Sequence, residues 1–249
     1  IPCLLISNKG LVKTVNFKNP KYVGDPINAV KIFNEKEVDE LMILDIDATS
    51  QELTPNYSLI EKIAFECRMP LSYGGGIKNL DQAKKIINIG CEKVVLSSSA
   101  ISNPSLIYDI SSIIGSQSLS VMVDIKKTTF GKYTIWTHNG KKKSNLDLEN
   151  YIKIAEKNGA GEIILNSIDR DGSCQGYDLF IANKIRNLIE IPLTLLGGAG
   201  SLDDIRKLVD MFGIIGAGAG SLFFFKGKHK AVLLSYPSRI EKINLTKNK

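Results

Sequence analysis

The sequence predicts an α/β fold, a (β/α)8 TIM barrel with an internal two-fold half-barrel repeat, on three observations. Short β-branched or apolar runs alternate with longer segments of helical spacing, the pattern of parallel strands joined by helical crossovers. Eight such units fit within 249 residues, the length at which barrels of this kind form one unit. The second half of the chain also repeats features of the first at a fixed spacing. Pro192 follows Pro70 by 122 residues, and Asp203 follows Asp81 by the same 122. Between them, Pro70-Leu71-Ser72 leads to Gly74-Gly75-Gly76 and Leu80-Asp81, while Pro192-Leu193-Thr194 leads to Gly197-Gly198-Ala199-Gly200 and Leu202-Asp203. The same shift carries Glu40-Leu41-Met42 onto Glu162-Ile163-Ile164 and Asp47 onto Asp169.

Taken in order, strands are predicted near Ile1–Ile6, Leu41–Ile46, Leu71–Tyr73, Lys93–Ser97, Leu119–Asp124, Glu162–Asn166, Leu193–Leu196 and Gly213–Gly216. Helices are predicted over Ile27–Phe33, Leu59–Cys67, Leu80–Ile89, Pro104–Ile113, Leu148–Lys157, Leu179–Leu188 and Leu202–Met211. The halves divide at about residues 118 and 119 of a single 1–249 barrel; a doubly wound open sheet is the structural alternative. One stretch breaks the rhythm. Thr128 to Thr137 alternates around Gly131 as a β-hairpin would, lengthening the loop after the fifth strand on the face where barrel enzymes do chemistry.

Composition narrows the function. Hydrophobic content of 43% and charged content of 23% are those of a globular chain that buries a core without staples. No apolar run approaches a bilayer's thickness and Ile1–Ile6 is too short for a signal sequence, so a cytoplasmic protein off the membrane is expected. The net charge of +6 is spread thinly except at Lys141-Lys142-Lys143 and from Lys226 to Lys230, without interleaved aromatics. That argues against nucleic acid and for phosphorylated metabolites or an acidic subunit. Cys3, Cys67, Cys91 and Cys174 form no C-x-x-C pair, and only His138 and His229 could join them, so neither metal nor cofactor is expected.

Glycine-rich strand-to-helix turns let backbone N–H groups approach an anion beside a helix N-terminus. Gly74-Gly75-Gly76 and Gly197-Gly198-Ala199-Gly200 stand at such turns, and Ser97-Ser98-Ser99-Ala100 and Gly216 to Ser221 follow one strand later in each half. Two such cups would span a ligand phosphorylated at both ends; tight turns alone are the other reading. For acid–base work, Asp124 closes the fifth strand and would face the mouth, whereas Asp45, Asp47, Asp169 and Asp171 end other strands and could equally hold loops.

Ile1-Pro2-Cys3-Leu4, Gly24-Asp25-Pro26, Gly74-Gly75-Gly76-Ile77, Ile168-Asp169-Arg170-Asp171-Gly172 and Gly176-Tyr177-Asp178 resemble the cyclase subunit of imidazole glycerol phosphate synthase, from Ile1 to about Phe225. The resemblance implies a glutaminase partner in a heterodimer, whose ammonia passes through the barrel to a bis-phosphorylated intermediate at the mouth. It puts an ammonia gate on Glu40, Lys93 and Glu162, with a further Arg expected ahead of Ile1. It puts phosphate contacts on Gly76, Ser98, Gly172, Gly198 and Ser221, with Lys13 nearby. Of the family's two catalytic aspartates, one falls on Asp124 and the other on Leu5, which cannot transfer a proton. Ser97, Asn166 and Leu196 also depart from the family's Asn, Thr and Ser. The expected function is therefore that of a relative accepting ammonia for acetamidino formation on a surface-polysaccharide sugar, completed by an ATP-dependent sugar amidotransferase. The alternatives are a true cyclase of histidine biosynthesis and a phosphosugar isomerase.

Overall fold

The computed structural model describes residues 1–227 and 231–246. His229 and part of the Lys226 to Lys230 cluster lie outside the described residues. The elements run β1 (Cys3–Ser7), β2 (Gly10–Val15), β3 (Lys18–Gly24), α1 (Pro26–Glu35), β4 (Leu41–Asp45), α2 (Tyr57–Glu66), β5 (Leu71–Gly74), α3 (Leu80–Ile89), β6 (Lys93–Leu96), α4 (Ser98–Ser102), α5 (Ser105–Ile114), β7 (Leu119–Lys127), β8 (Tyr133–Thr137) and β9 (Lys142–Lys143). They continue with α6 (Leu148–Lys157), β10 (Glu162–Ser167), α7 (Leu179–Arg186), β11 (Leu193–Leu196), α8 (Leu202–Phe212), β12 (Gly216–Ala217), α9 (Ser221–Phe224), β13 (Phe225–Lys226), β14 (Ala231–Val232) and α10 (Arg239–Thr246).

The parallel strands order as β1-β4-β5-β6-β7-β10-β11-β12. The cylinder closes where Pro2 bridges Ala219, Cys3 N–H donates to Ala219 at 2.8 Å and Ala219 N–H donates to Ile1 at 2.9 Å. This is the TIM barrel the alternation predicts, and closure excludes the open-sheet alternative. Outward-facing Leu4, Ile43, Val94, Val121, Ile163 and Leu195 meet the helices in the main core. Inward-facing Cys3, Met42, Leu44, Val95, Met122, Ile164 and Leu196 form a second core inside the cylinder. Alternation along each strand separates the two sets.

The repeat is legible in three dimensions. Asn79 caps α3 through Gln82 N–H, and Ser201, 122 residues on, caps α8 in a reciprocal box with Asp204. Such caps contribute about 0.5–2 kcal/mol each. Gly75 and Gly197 both have positive φ (+119° and +92°), and a Cβ on either would press the carbonyl oxygen of Asp45 (2.5 Å) or Ser167 (2.6 Å), themselves 122 apart. Each half thus turns its third barrel strand over the end of its second.

Two expected strand bounds need correction, and one hairpin was not foreseen. The eighth strand is Gly216–Ala217, not Gly213–Gly216, because Gly213 at φ +73° caps α8. The first strand starts at Cys3, not Ile1. The loop after it, for which no element was expected, folds as the β2–β3 hairpin. Its polar return strand with Pro20 gives no alternation, and its turns are Asn8-Lys9 and Asn16-Phe17, all at positive φ, rather than Asn-Gly. The predicted hairpin is present as β7–β8, so both half-barrels carry a hairpin after their first strand.

Candidate functional site

The two ends of the cylinder carry different chemistry. At the N-terminal ends of the strands, Lys93 opens β6, Glu162 opens β10 and Glu40 immediately precedes β4. Lys93 Nζ lies 3.3 Å from Glu40 Oε1 and 3.2 Å from Glu162 Oε2, one ammonium shared between two carboxylates. Burial alone would lower the Lys93 pKa; Glu162 and Glu40 outweigh it and hold it above its ordinary value. Three hydroxyls complete this floor. Ser72 Oγ donates to Glu40 Oε1 (2.8 Å), Ser120 Oγ to Glu162 Oε2 (2.7 Å) and Thr194 Oγ1 to Glu162 Oε1 (2.5 Å). Sequence reading identified the three charges but missed the hydroxyls, although the repeat offered a signal: Ser72 and Thr194 stand 122 apart, as do Glu40 and Glu162.

At the opposite end, one cavity of about 120 Å³ takes in Leu5, Lys13, Asp124, Asp171, Gly76, Ser98, Gly172, Gly198 and Ser221. Strands β1 and β7 are four apart in a ring of eight, so Leu5 and Asp124 stand on opposite walls. Asp124 is 7% exposed and accepts from Asn166 Nδ2 at 2.8 Å. Desolvation pushes its carboxyl up to about 7, with Asp171 adding to the rise and Asn166 and Ser97 opposing it. A group titrating there can give or take a proton near neutrality. Its counterpart position, Leu5, packs against the apolar inner core.

Other candidates are held by structural bonds. Lys13 is 6% exposed; its Nζ donates to the Cys3 carbonyl at 2.7 Å and lies 4.1 Å from the centre of the Phe224 ring. Burial lowers its pKa to about 8. Ser98 Oγ accepts from His138 N–H (3.0 Å), tying α4 to the second hairpin. Asp171 accepts from Thr14 Oγ1 (2.6 Å) and Phe17 N–H (3.0 Å), latching the first hairpin over the mouth; burial raises its pKa. Asp45 receives Asp47 and Ala48 N–H, Asp47 receives Ser7 Oγ and Asn8 N–H, and Asp169 receives Lys127 N–H, so these carboxylates order loops. Phe17, which lines the cavity from the hairpin, was invisible without that hairpin. Among the described residues the four cysteines are free, no cluster of three or more His, Cys, Asp or Glu converges, and no helix is long and apolar enough to cross a membrane.

Fold and site together define a class: a (β/α)8 barrel with a Glu–Lys–Glu floor at one end and a glycine- and serine-lined mouth holding a buried carboxylate at the other. Residues 1–229 match the family described as "Histidine biosynthesis protein". The chain belongs to this family, in the branch of imidazole glycerol phosphate synthase subunit HisF. It is 54% identical over 243 residues to a provisionally named HisF subunit of Leptospira interrogans, covering 97% of this chain and 96% of that one. It is 56% identical to a provisionally named subunit hisF3 of Vibrio vulnificus, covering 97% and 94%. A Streptococcus mutans protein named outright as imidazole glycerol phosphate synthase subunit HisF is 37% identical over 225 residues, 90% of each chain.

Proposed function

We propose that this chain is the synthase-type subunit of a glutamine amidotransferase, docking a glutaminase on its N-terminal face as a heterodimer and taking up ammonia there. The observation that carries this reading is the shared Lys93 ammonium between Glu40 and Glu162, which closes the floor of an otherwise apolar barrel interior. A neutral molecule can cross such an interior once the ion pairs part; a charged one pays a large desolvation cost. At the mouth, Gly76, Ser98, Gly172, Gly198 and Ser221, with Lys13, are the proposed contacts for a phosphorylated ligand, and Asp124 is the proposed acid–base group.

For what the ammonia is used, Leu5 speaks against the two-carboxylate cyclisation. Removing one member of an acid–base pair costs about 10²–10⁴ in rate. The finer proposal is therefore ammonia supply for an acetamidino group on a surface-polysaccharide sugar, with a separate ATP-dependent sugar amidotransferase completing the transfer. The relatives' names favour the second reading, a cyclase forming imidazole glycerol phosphate in histidine biosynthesis. The shared core of both readings is the glutaminase. Size-exclusion chromatography of the chain with its cognate glutaminase is expected to give a 1:1 complex with altered glutamine hydrolysis. Separate elution with unchanged hydrolysis would overturn it.

A further inference from the structure

The three floor hydroxyls are unevenly divided, and this bears on how the floor opens. The inference rests on the ammonia-uptake reading above. Glu40 receives one hydroxyl, Ser72, on Oε1, and Lys93 on both oxygens. Glu162 receives Thr194 on Oε1, and Ser120 and Lys93 on Oε2. Among the described residues, if Lys93 withdrew altogether, Glu162 would keep a hydrogen-bond donor on each oxygen, and Glu40 a donor on one. The side chains differ little in exposure, 10% against 18%. Hydrogen bonds to a carboxylate are about twice as strong as neutral ones, and a buried carboxylate short of donors is costly. The Thr194 donor is built in. Thr194 pairs with Gly216, where any Cβ would fall 1.7 Å from Thr194 Oγ1, so the neighbouring strand leaves room for this hydroxyl alone.

We propose that Ser120 and Thr194 are positioning residues of the ammonia gate: they hold Glu162 in place without Lys93, so the gate opens at the Lys93–Glu162 contact while Lys93 stays on Glu40. Ammonia then passes on the Glu162 side, beside the hydroxyls of β7 and β11. Ser72, the repeat counterpart of Thr194, has no such role, because Glu40 does not release its cation.

Two measurements test this. Without any partner, thermal unfolding of Lys93→Met is compared with Lys93→Met/Glu40→Gln and Lys93→Met/Glu162→Gln. Glu40→Gln is expected to restore the larger part of the lost Tm, because Lys93→Met strands Glu40 more; equal or greater rescue by Glu162→Gln overturns the proposal. If Lys93→Met does not fold, the same comparison is made with Lys93→Gln. With the glutaminase bound, ammonia delivered to the mouth per glutamine hydrolysed is expected to fall about tenfold, or 1.4 kcal/mol, in Ser120→Ala/Thr194→Val and by less than twofold in Ser72→Ala. Equal losses in the two overturn it. A wild-type complex that delivers no ammonia would sink the functional reading, while the unfolding comparison would still decide which carboxylate depends on Lys93.

Discussion

Asp124 is carried on the fifth barrel strand into a pocket whose walls are Met122, Leu5 and Leu196, and its chemistry follows from that placement. Its carboxyl, raised to about 7 by burial, favours the protonated form in the folded protein. Stability from this group is fully present below the ordinary carboxylate value of 3.8 and is lost as pH rises toward 7. Asp124→Asn should therefore gain stability over the wild type at pH 8 and lose that advantage by pH 4, read from urea midpoints at the two pH values. A difference independent of pH would contradict the raised carboxyl. Leu5 is the complementary case. It lines the cavity, so Leu5→Asp places a carboxylate opposite Asp124 and should raise ammonium-driven cyclisation by about 10²–10⁴ if the remaining mouth is competent. Asp124 was legible because it closes the apolar run Val121-Met122-Val123 of the fifth strand, whereas Leu5 was singled out only through the family resemblance. The roles of Lys13 and Ser98 were less so: the bonds to the Cys3 carbonyl and from His138 N–H join residues 10 and 40 positions apart in sequence, a contact that local spacing does not encode.

At the scale of elements, the two hairpins that follow β1 and β7 decide how the mouth is enclosed. The second announces itself by alternation about Gly131; the first has a return strand of Lys18-Asn19-Pro20-Lys21, exposed throughout, and no apolar face to betray it. Its far turn is fastened by the Asp171 side chain, from the loop after β10, while Asp47 holds the turn at Asn8. Asp171→Ala removes acceptors for Thr14 Oγ1 and Phe17 N–H, each charged-group bond being worth about 1.5–3 kcal/mol. Amide exchange across Gly10–Gly24 should then accelerate at least about tenfold with the barrel strands unaffected. Uniform acceleration would mean that Asp171 supports the barrel rather than the hairpin. The C-terminal segment is another element the sequence left open. Tyr236 Oη donates to Asp39 (2.7 Å) and Lys242 Nζ lies 2.6 Å from it, so α10 fastens the residue next to Glu40; together they hold the Asp39 carboxyl below its ordinary value despite partial burial.

For the molecule as a whole, the 122-residue repeat is the economy that makes most of the fold readable. It sets Glu40 against Glu162, Ser72 against Thr194, Gly75 against Gly197 and Asn79 against Ser201, so that each half builds one wall of the floor and one turn of the mouth. What symmetry does not supply marks the functional axis: Lys93 has no cationic counterpart at Ile215, and Leu5, which pairs with Leu44 as Asp124 pairs with Asn166, carries no carboxyl. On the proposed reading the floor serves ammonia uptake, while the mouth presents one carboxyl, Asp124, where the family resemblance expects two. The most direct test is turnover of the bis-phosphorylated formimino intermediate with saturating ammonium, which bypasses the glutaminase and reports on the mouth alone. The account predicts binding without cyclisation, or turnover slower by about 10²–10⁴ than the ordinary enzymatic range. Formation of imidazole glycerol phosphate at about 1 s⁻¹ or faster would contradict it and establish this barrel as a working cyclase.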